Sequence, residues 1–123
     1  MYVVGNDHPL KSQSKSLLLA AVRRREPLIT DTEVLQEILH RYRSINRPTE
    51  MRWAFDLVLN VADEIHSIDL VDVLSARLIL TTNTRISARD AIHAAVMQRN
   101  GITRLLSFDA GFDEVPDIQR ITS

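Results

Sequence analysis

Three carboxylates, Glu37, Asp90 and Asp109, stand where elements of secondary structure begin or end. Acids gathered at such ends are the donors that a hard cation prefers: Mg²⁺ and Mn²⁺ take oxygen ligands and keep several waters while bridging to phosphate. A cation held this way polarises a phosphodiester, generates hydroxide from bound water and stabilises the leaving oxygen. That chemistry needs no thiol and no glycine-rich loop, and the chain has neither. It contains no cysteine, which removes disulfides, thiolate zinc sites and a thiol nucleophile. Its three glycines, Gly5, Gly101 and Gly111, are too scattered for a Walker loop or a dinucleotide fingerprint.

The elements that must position these acids follow from local pattern. Ser87 is a good N-cap, with Asp90 three residues later, and apolar residues from Ala91 to Met97 fall nearly all round the helix they open. Asn100-Gly101 stops that helix, and Leu105 to Phe108 forms a short apolar strand ending at Asp109. Earlier, Pro27 to Thr30 reads as a buried strand, and Thr30 with Glu33 makes a capping box. The helix it opens carries Val34, Leu35, Ile38, Leu39 and Tyr42 as an apolar stripe, with Glu37 flanking it.

The remaining chain adds a helix from Asp7-His8-Pro9 to about Val22, closed by Arg23-Arg24-Arg25, and another from Pro48 to about Ala62. In the latter, Trp53 and Phe55 read as packing groups. Glu64 to Ile68 alternates as a strand, and Asp69 caps a helix from Leu70 to Thr82 carrying Val71, Leu74, Leu78 and Ile79. A last strand lies near Ile118 to Ile121. Strands alternating with helices argue for an α/β fold, a parallel sheet flanked by helices in three layers. At 123 residues the chain fits one domain, with no internal boundary. A net charge of −1 gives no global argument for nucleic acid, but allows a basic face beside an acidic pocket. No apolar run is long enough to span a membrane and no signal-peptide pattern opens the chain, so a cytoplasmic location is expected.

Each acid also has an ordinary structural reading. Glu37 would be a helix-flank carboxylate near His40 or Arg41, Asp90 the N3 member of a cap, and Asp109 a turn former before Ala110-Gly111. His93 reads as a packed or hydrogen-bonded helix residue, and Asp31, Asp56, Asp63, Asp69 and Asp72 as caps and surface groups.

The segments I-T-D-T-E-V-L-Q-E-I-L-H-R-Y (29–42), S-A-R-D-A-I-H-A-A (87–95) and L-L-S-F-D-A-G-F-D (105–113) resemble the motifs of PIN-domain ribonucleases, above all the VapC-type toxins of toxin–antitoxin pairs. The resemblance runs from Asp7 onward. It implies a compact PIN-like fold, cleavage of RNA dependent on Mg²⁺ or Mn²⁺, a VapB-like antitoxin as partner, and a homodimer. By position, Glu37, Asp90 and Asp109 match three of the family's four catalytic, metal-binding acids. Ser107 falls where the family often has a supporting hydroxyl, and Asp113 on a further, more variable acid. On this reading RNA phosphates would meet Arg41, Arg43, Arg85 and Arg89.

The resemblance breaks at the start. The family opens with a central strand ending in Asp-Thr-Asn or similar, which supplies the first metal-binding aspartate. No such motif precedes Asp7-His8-Pro9, and Met1–Val4 looks like what normally follows it, part of the first helix. The expectation is an N-terminally incomplete domain over residues 1–123 whose first, central strand is missing or replaced by residues 1–4. An absent central strand leaves a gap of about two spacings of ~4.8 Å, with unpaired backbone on both sides. If Met1–Val4 fills the slot, Asp7 is the nearby candidate for the fourth acid. A catalytically impaired PIN-fold binding protein is therefore the competing function. A phosphate-transfer receiver is a weaker third, because no suitably placed lysine follows the last strand region.

Overall fold

The computed structural model describes residues 1–5, 19–23, 26–107 and 109–121. Five strands form one parallel sheet: β1 (Tyr2–Val3), β2 (Ile29–Asp31), β3 (Glu64–His66), β4 (Arg104–Leu106) and β5 (Gln119–Ile121), in the spatial order β3-β2-β1-β4-β5. Among the described residues, helices α1 (Thr32–Ser44), α2 (Pro48–Val61), α3 (Leu70–Thr82) and α4 (Ala88–Arg99) accompany it, with a 3₁₀ turn at Ala110–Glu114. The α/β architecture with a parallel sheet flanked by helices is the one expected from the alternation of elements. Residues 19–22 are helical and Arg23 lies in a turn. The expected helix start at Asp7-His8-Pro9, and Arg24 and Arg25 of the basic triplet, lie outside the described residues.

The central slot is filled. Met1–Val4, which looks like part of the first helix, supplies β1 instead. Tyr2 pairs with Ile29 on one side and Leu105 on the other, and Val3 with Leu106. Ile29 N donates to Met1 O at 2.9 Å, Val4 N to Leu106 O at 3.4 Å, and the Thr30 hydroxyl to Val3 O at 2.8 Å. The alternative, an open slot, would strand these backbone groups without partners in the interior. Tyr2, Val3 and Val4 are all buried, as both faces of a central parallel strand are covered.

Helix α1 starts one residue later than the Thr30/Glu33 capping box predicts. Asp31 is the N-cap, and its Oδ1 accepts from Glu33 N at 3.0 Å and Val34 N at 3.3 Å. Thr30 remains in the strand, its hydroxyl already committed to Val3. Helix α4 keeps the expected cap, with Asp90 N donating to Ser87 Oγ at 3.1 Å. It ends as expected at Asn100-Gly101: Gly101 takes φ +67°, and Ile102 N bonds back to Met97 O at 2.9 Å. Asp90, Ala91 and His93 through Met97 are buried, so α4 is enclosed almost all round. It packs chiefly on α3, while α1 packs on α2.

Helix α3 faces the interior differently from its apolar pattern. Its buried residues are Asp72, Ala76 and Ile79, whereas Leu70, Val71, Val73, Leu74 and Leu78 are exposed. Asp72 turns inward because Arg99 of α4 meets it with two nitrogens, at 2.7 and 3.0 Å. Leu39 and Trp53 are likewise exposed rather than core, while Phe55 is partly buried against the core.

Asp31 is the deepest of the acids assigned in the sequence to caps and surface. It is fully buried and bonded to the Tyr2 hydroxyl and to His93 Nδ1, the latter at 2.7 Å. Truncating it leaves a buried phenol, a buried imidazole and two helix N–H groups without their acceptor. Asp31→Ala is expected to lose about 3–5 kcal/mol of unfolding free energy, the usual cost of breaking a buried charged pair, read from urea denaturation.

Candidate active site

In the strand order 3-2-1-4-5, connections run in opposite directions from β1, so the crevice beyond the carboxyl ends of β1 and β4 is the natural ligand position. Asp109 lies just past β4 and caps the 3₁₀ turn, its Oδ1 accepting from Gly111 N at 2.9 Å. Its own N–H donates to Ser107 Oγ at 3.1 Å, and Ser107 is fully buried. Ser107 is thus a brace for the turn that aims Asp109. Gly111 permits this turn: a Cβ there would lie 3.1 Å from both Arg85 O and Asp109 Oδ1, and 3.2 Å from Ile86 Cα.

Asp90 projects from the first turn of α4 and meets Asp109. Burial raises its pKa first, and the hydrogen bond and charge of Asp109 raise it further, to about 7. His93 and Arg89 pull the other way without prevailing. A buried carboxyl facing a second carboxyl does not ionise cheaply, so Asp90 keeps its proton to about neutral pH. The ordinary readings of both residues hold as well: Asp90 is in the cap and Asp109 forms the turn.

Glu37 is buried on α1, but its oxygens are engaged elsewhere. Oε1 meets Arg41 Nε at 2.6 Å and Oε2 meets Arg89 Nε at 3.0 Å. Among the described residues, no three histidine or acidic groups stand together as a ready metal cluster. The structure therefore brings Asp90 and Asp109 together, while Glu37 is held by two guanidinium groups, one of them from Arg89, the residue before Asp90. Arg41, Arg89, Glu33, Glu37, His40 and Ser44 line an open cleft of about 400 Å³.

The remaining candidates divide. Asp113 is exposed and paired with Arg120, at 2.8 and 3.0 Å, which holds its carboxyl below the usual range. Arg43 and Arg85 are exposed, and the Arg85 backbone N–H is tied to Glu114 at 2.8 Å. Asp7 lies outside the described residues. Two groups near the site escaped the sequence reading. Arg120 reaches Ser107 O at 3.4 Å as well as Asp113, and nothing in its short strand context signals this. Asp31, read as a cap or surface group, forms a buried pair with His93; its position directly before a helix shows the cap but not the pairing partner 62 residues away.

Residues 1–118 match the PIN domain. The chain belongs to the PIN-domain family. Within it, this PIN-domain chain is 49% identical over 121 residues to ribonuclease VapC13 of Mycobacterium tuberculosis, covering 98% of this chain and 92% of that protein. It is 35% identical over 109 residues to ribonuclease VapC23 of the same organism, covering 89% and 86%. It therefore belongs to the VapC ribonucleases among PIN-domain proteins. Two solved structures share the fold: VapBC2 from Rickettsia felis bound to a promoter DNA fragment (TM-score 0.68, 17% identity, 98% and 96% of the two chains), and the sarcin–ricin-loop-cleaving toxin VapC20 of Mycobacterium tuberculosis (TM-score 0.66, 19% identity, 94% of each). Among the described residues no helix is long and apolar enough to cross a membrane.

The acid pair gives the metal-free PIN domain a defined pH response. Asp90 titrates at about 7 when folded and near 4 when unfolded, so the stability tied to its protonated form is complete below about pH 4 and is lost as pH rises through 7. His93, also raised, acts in the same direction, whereas Asp31, lowered, acts only at the acid end. In EDTA, unfolding free energy should fall between pH 5 and pH 8 by up to about 1.4 kcal/mol per unit. Urea titrations of Asp90→Asn should show a clearly shallower slope.

Proposed function

We propose that this chain is the toxin half of a toxin–antitoxin pair, an RNA endonuclease dependent on Mg²⁺ or Mn²⁺ and acting in the cytoplasm. The observation that carries this reading is the meeting of buried Asp90 with half-buried Asp109 beyond the switch point of the sheet. The donor set fits a hard divalent ion: Mg²⁺ is commonly held by one or two carboxylates, with water and substrate phosphate completing the shell. Asp90 and Asp109 would hold it, with Glu37 as the third acid of the site. When bound, such an ion supplies neutralising charge, a more acidic water and stabilisation of the leaving oxygen.

The chain's own residues account for the rest. Ser107 and the Gly111 N–H fix Asp109, while the Ser87 cap fixes the first turn of α4 and with it Asp90. Arg41 and Arg89 neutralise Glu37 and border the cleft in which RNA phosphates would lie. Such contacts position the strand without reading its bases. The partner is a VapB-like antitoxin, as one structural neighbour is a VapBC assembly, and the toxin itself is read as a homodimer.

A second reading, a PIN-fold binding protein of impaired activity, is favoured by one observation: β1 brings Tyr2 and Val3 to the centre of the sheet and no carboxylate. Cleavage of a labelled RNA decides between the two. The first reading expects turnover in Mg²⁺ or Mn²⁺ and none in EDTA, with Asp90→Asn and Asp109→Asn each slower by roughly 100-fold or more. Absence of turnover in the purified, folded chain would leave the binding protein.

Metal binding has its own readout. At a hundred times its Kd, Mn²⁺ should add about 2.7 kcal/mol of stability and raise Tm by several degrees, and Asp90→Asn should abolish the gain.

A further inference from the structure

Among the described residues, polar links join α4 to the α1 side of the domain on each side of Asp90 in sequence. Arg89 reaches Glu37 of α1 at 3.0 Å toward the cleft. His93 reaches Asp31, the α1 N-cap, at 2.7 Å in the interior, where their side chains are 1% and 0% exposed. Helix α4 otherwise packs chiefly on α3, so these links set how its first turn stands relative to α1. Asp31 is itself fixed from other directions by the Tyr2 hydroxyl of β1 and by two N–H groups of α1. A carboxylate so held gives His93 Nδ1 one place to donate. The imidazole, one helical turn after Asp90 and on the same buried side of α4, is thereby locked in position.

We propose that His93, oriented by Asp31, is a positioning residue for the acid pair: it pins α4 so that Asp90 meets Asp109. His93 touches neither substrate nor metal in this role. The proposal rests on the ribonuclease reading for its consequence in catalysis, but the pin between α4 and the α1 N-cap is a property of the fold.

The chemistry of the link supplies a discriminating pair of substitutions. His93→Asn places an amide N–H near the imidazole Nδ1 and keeps the donor to Asp31. His93→Leu fills similar space and removes it. The expected result for the folded Leu variant is a roughly tenfold weaker Mn²⁺ affinity by calorimetry, a kcat for RNA lowered about tenfold with KM within twofold, and faster amide hydrogen exchange at residues 87–91 with α2 unchanged. His93→Asn should restore all three toward the unmutated values. If His93→Leu does not fold, His93→Gln, whose amide sits at the Nε2 position, takes its place.

Equal behaviour of the donor-keeping and donor-lacking variants, in exchange and in Mn²⁺ affinity, would overturn the proposal. If the unmutated protein binds no Mn²⁺ and cleaves no RNA while exchange at residues 87–91 still responds as expected, the ribonuclease reading falls and the pin stands.

Discussion

The carboxylate of Asp31 is the constraint on which the rest of the structure depends. It is fully buried, and taking an ion out of water costs several kcal/mol unless its lone pairs are filled. Here they are filled by four donors: the Tyr2 hydroxyl, His93 Nδ1, and the N–H groups of Glu33 and Val34. Burial pushes the carboxyl upward, but the charge and hydrogen bond of His93, with the Tyr2 bond, outweigh it and hold the group below the usual carboxylate range. The same contacts hold His93 above its ordinary value against its own burial, and burial joined by the charge and hydrogen bond of Asp31 pushes the Tyr2 phenol upward. One side chain of β2 therefore fixes the central strand, the start of α1 and the flank of α4. The donors come from three separate parts of the chain, so the group is satisfied only when all three are in place.

The two acidic arrangements show opposite solutions to the same problem. Asp31 and Glu37 are charged groups given cationic or N–H partners, so their burial is compensated. Asp90 and Asp109 are given each other, and the result is a carboxyl that holds its proton to about neutral pH. Groups with displaced titration in a crevice are where chemistry is usually found, because the displaced free energy is available to a ligand that relieves it. A cation would relieve the repulsion here, whereas it would gain little from Asp31, already saturated with donors.

Much of this was legible in the sequence. The helix from Ser87 could be read from its cap, its apolar surround and its Asn-Gly stop, and the motif at 105–113 placed Asp109 after a strand. Periodicity alone went only part of the way for α3: Val71, Leu74, Leu78 and Ile79 look like a core stripe, yet of these only Ile79 is buried, beside Asp72 and Ala76. The reason is the Arg99–Asp72 pair, a contact across 27 residues that local pattern does not contain. The role of Met1–Val4 was illegible for the same kind of reason. Four apolar residues suit a strand or a helix equally, and what decides is the open slot between β2 and β4. Glu37 was placed in the pocket by motif, but its two arginine partners could be seen only once α1 and α4 were side by side.

The bare backbone at Gly111 has a consequence for how this domain tolerates change. The turn that carries Asp109 and the segment before α4 approach within the space a single methyl group would need, with Arg85 O and Ile86 Cα on the far side. A side chain at this position needs Arg85 O and Ile86 Cα to give way slightly, which couples the end of β4 to the start of α4. Close packing leaves little slack at this gap, so two distant stretches of chain are held to a common distance by the absence of one side chain.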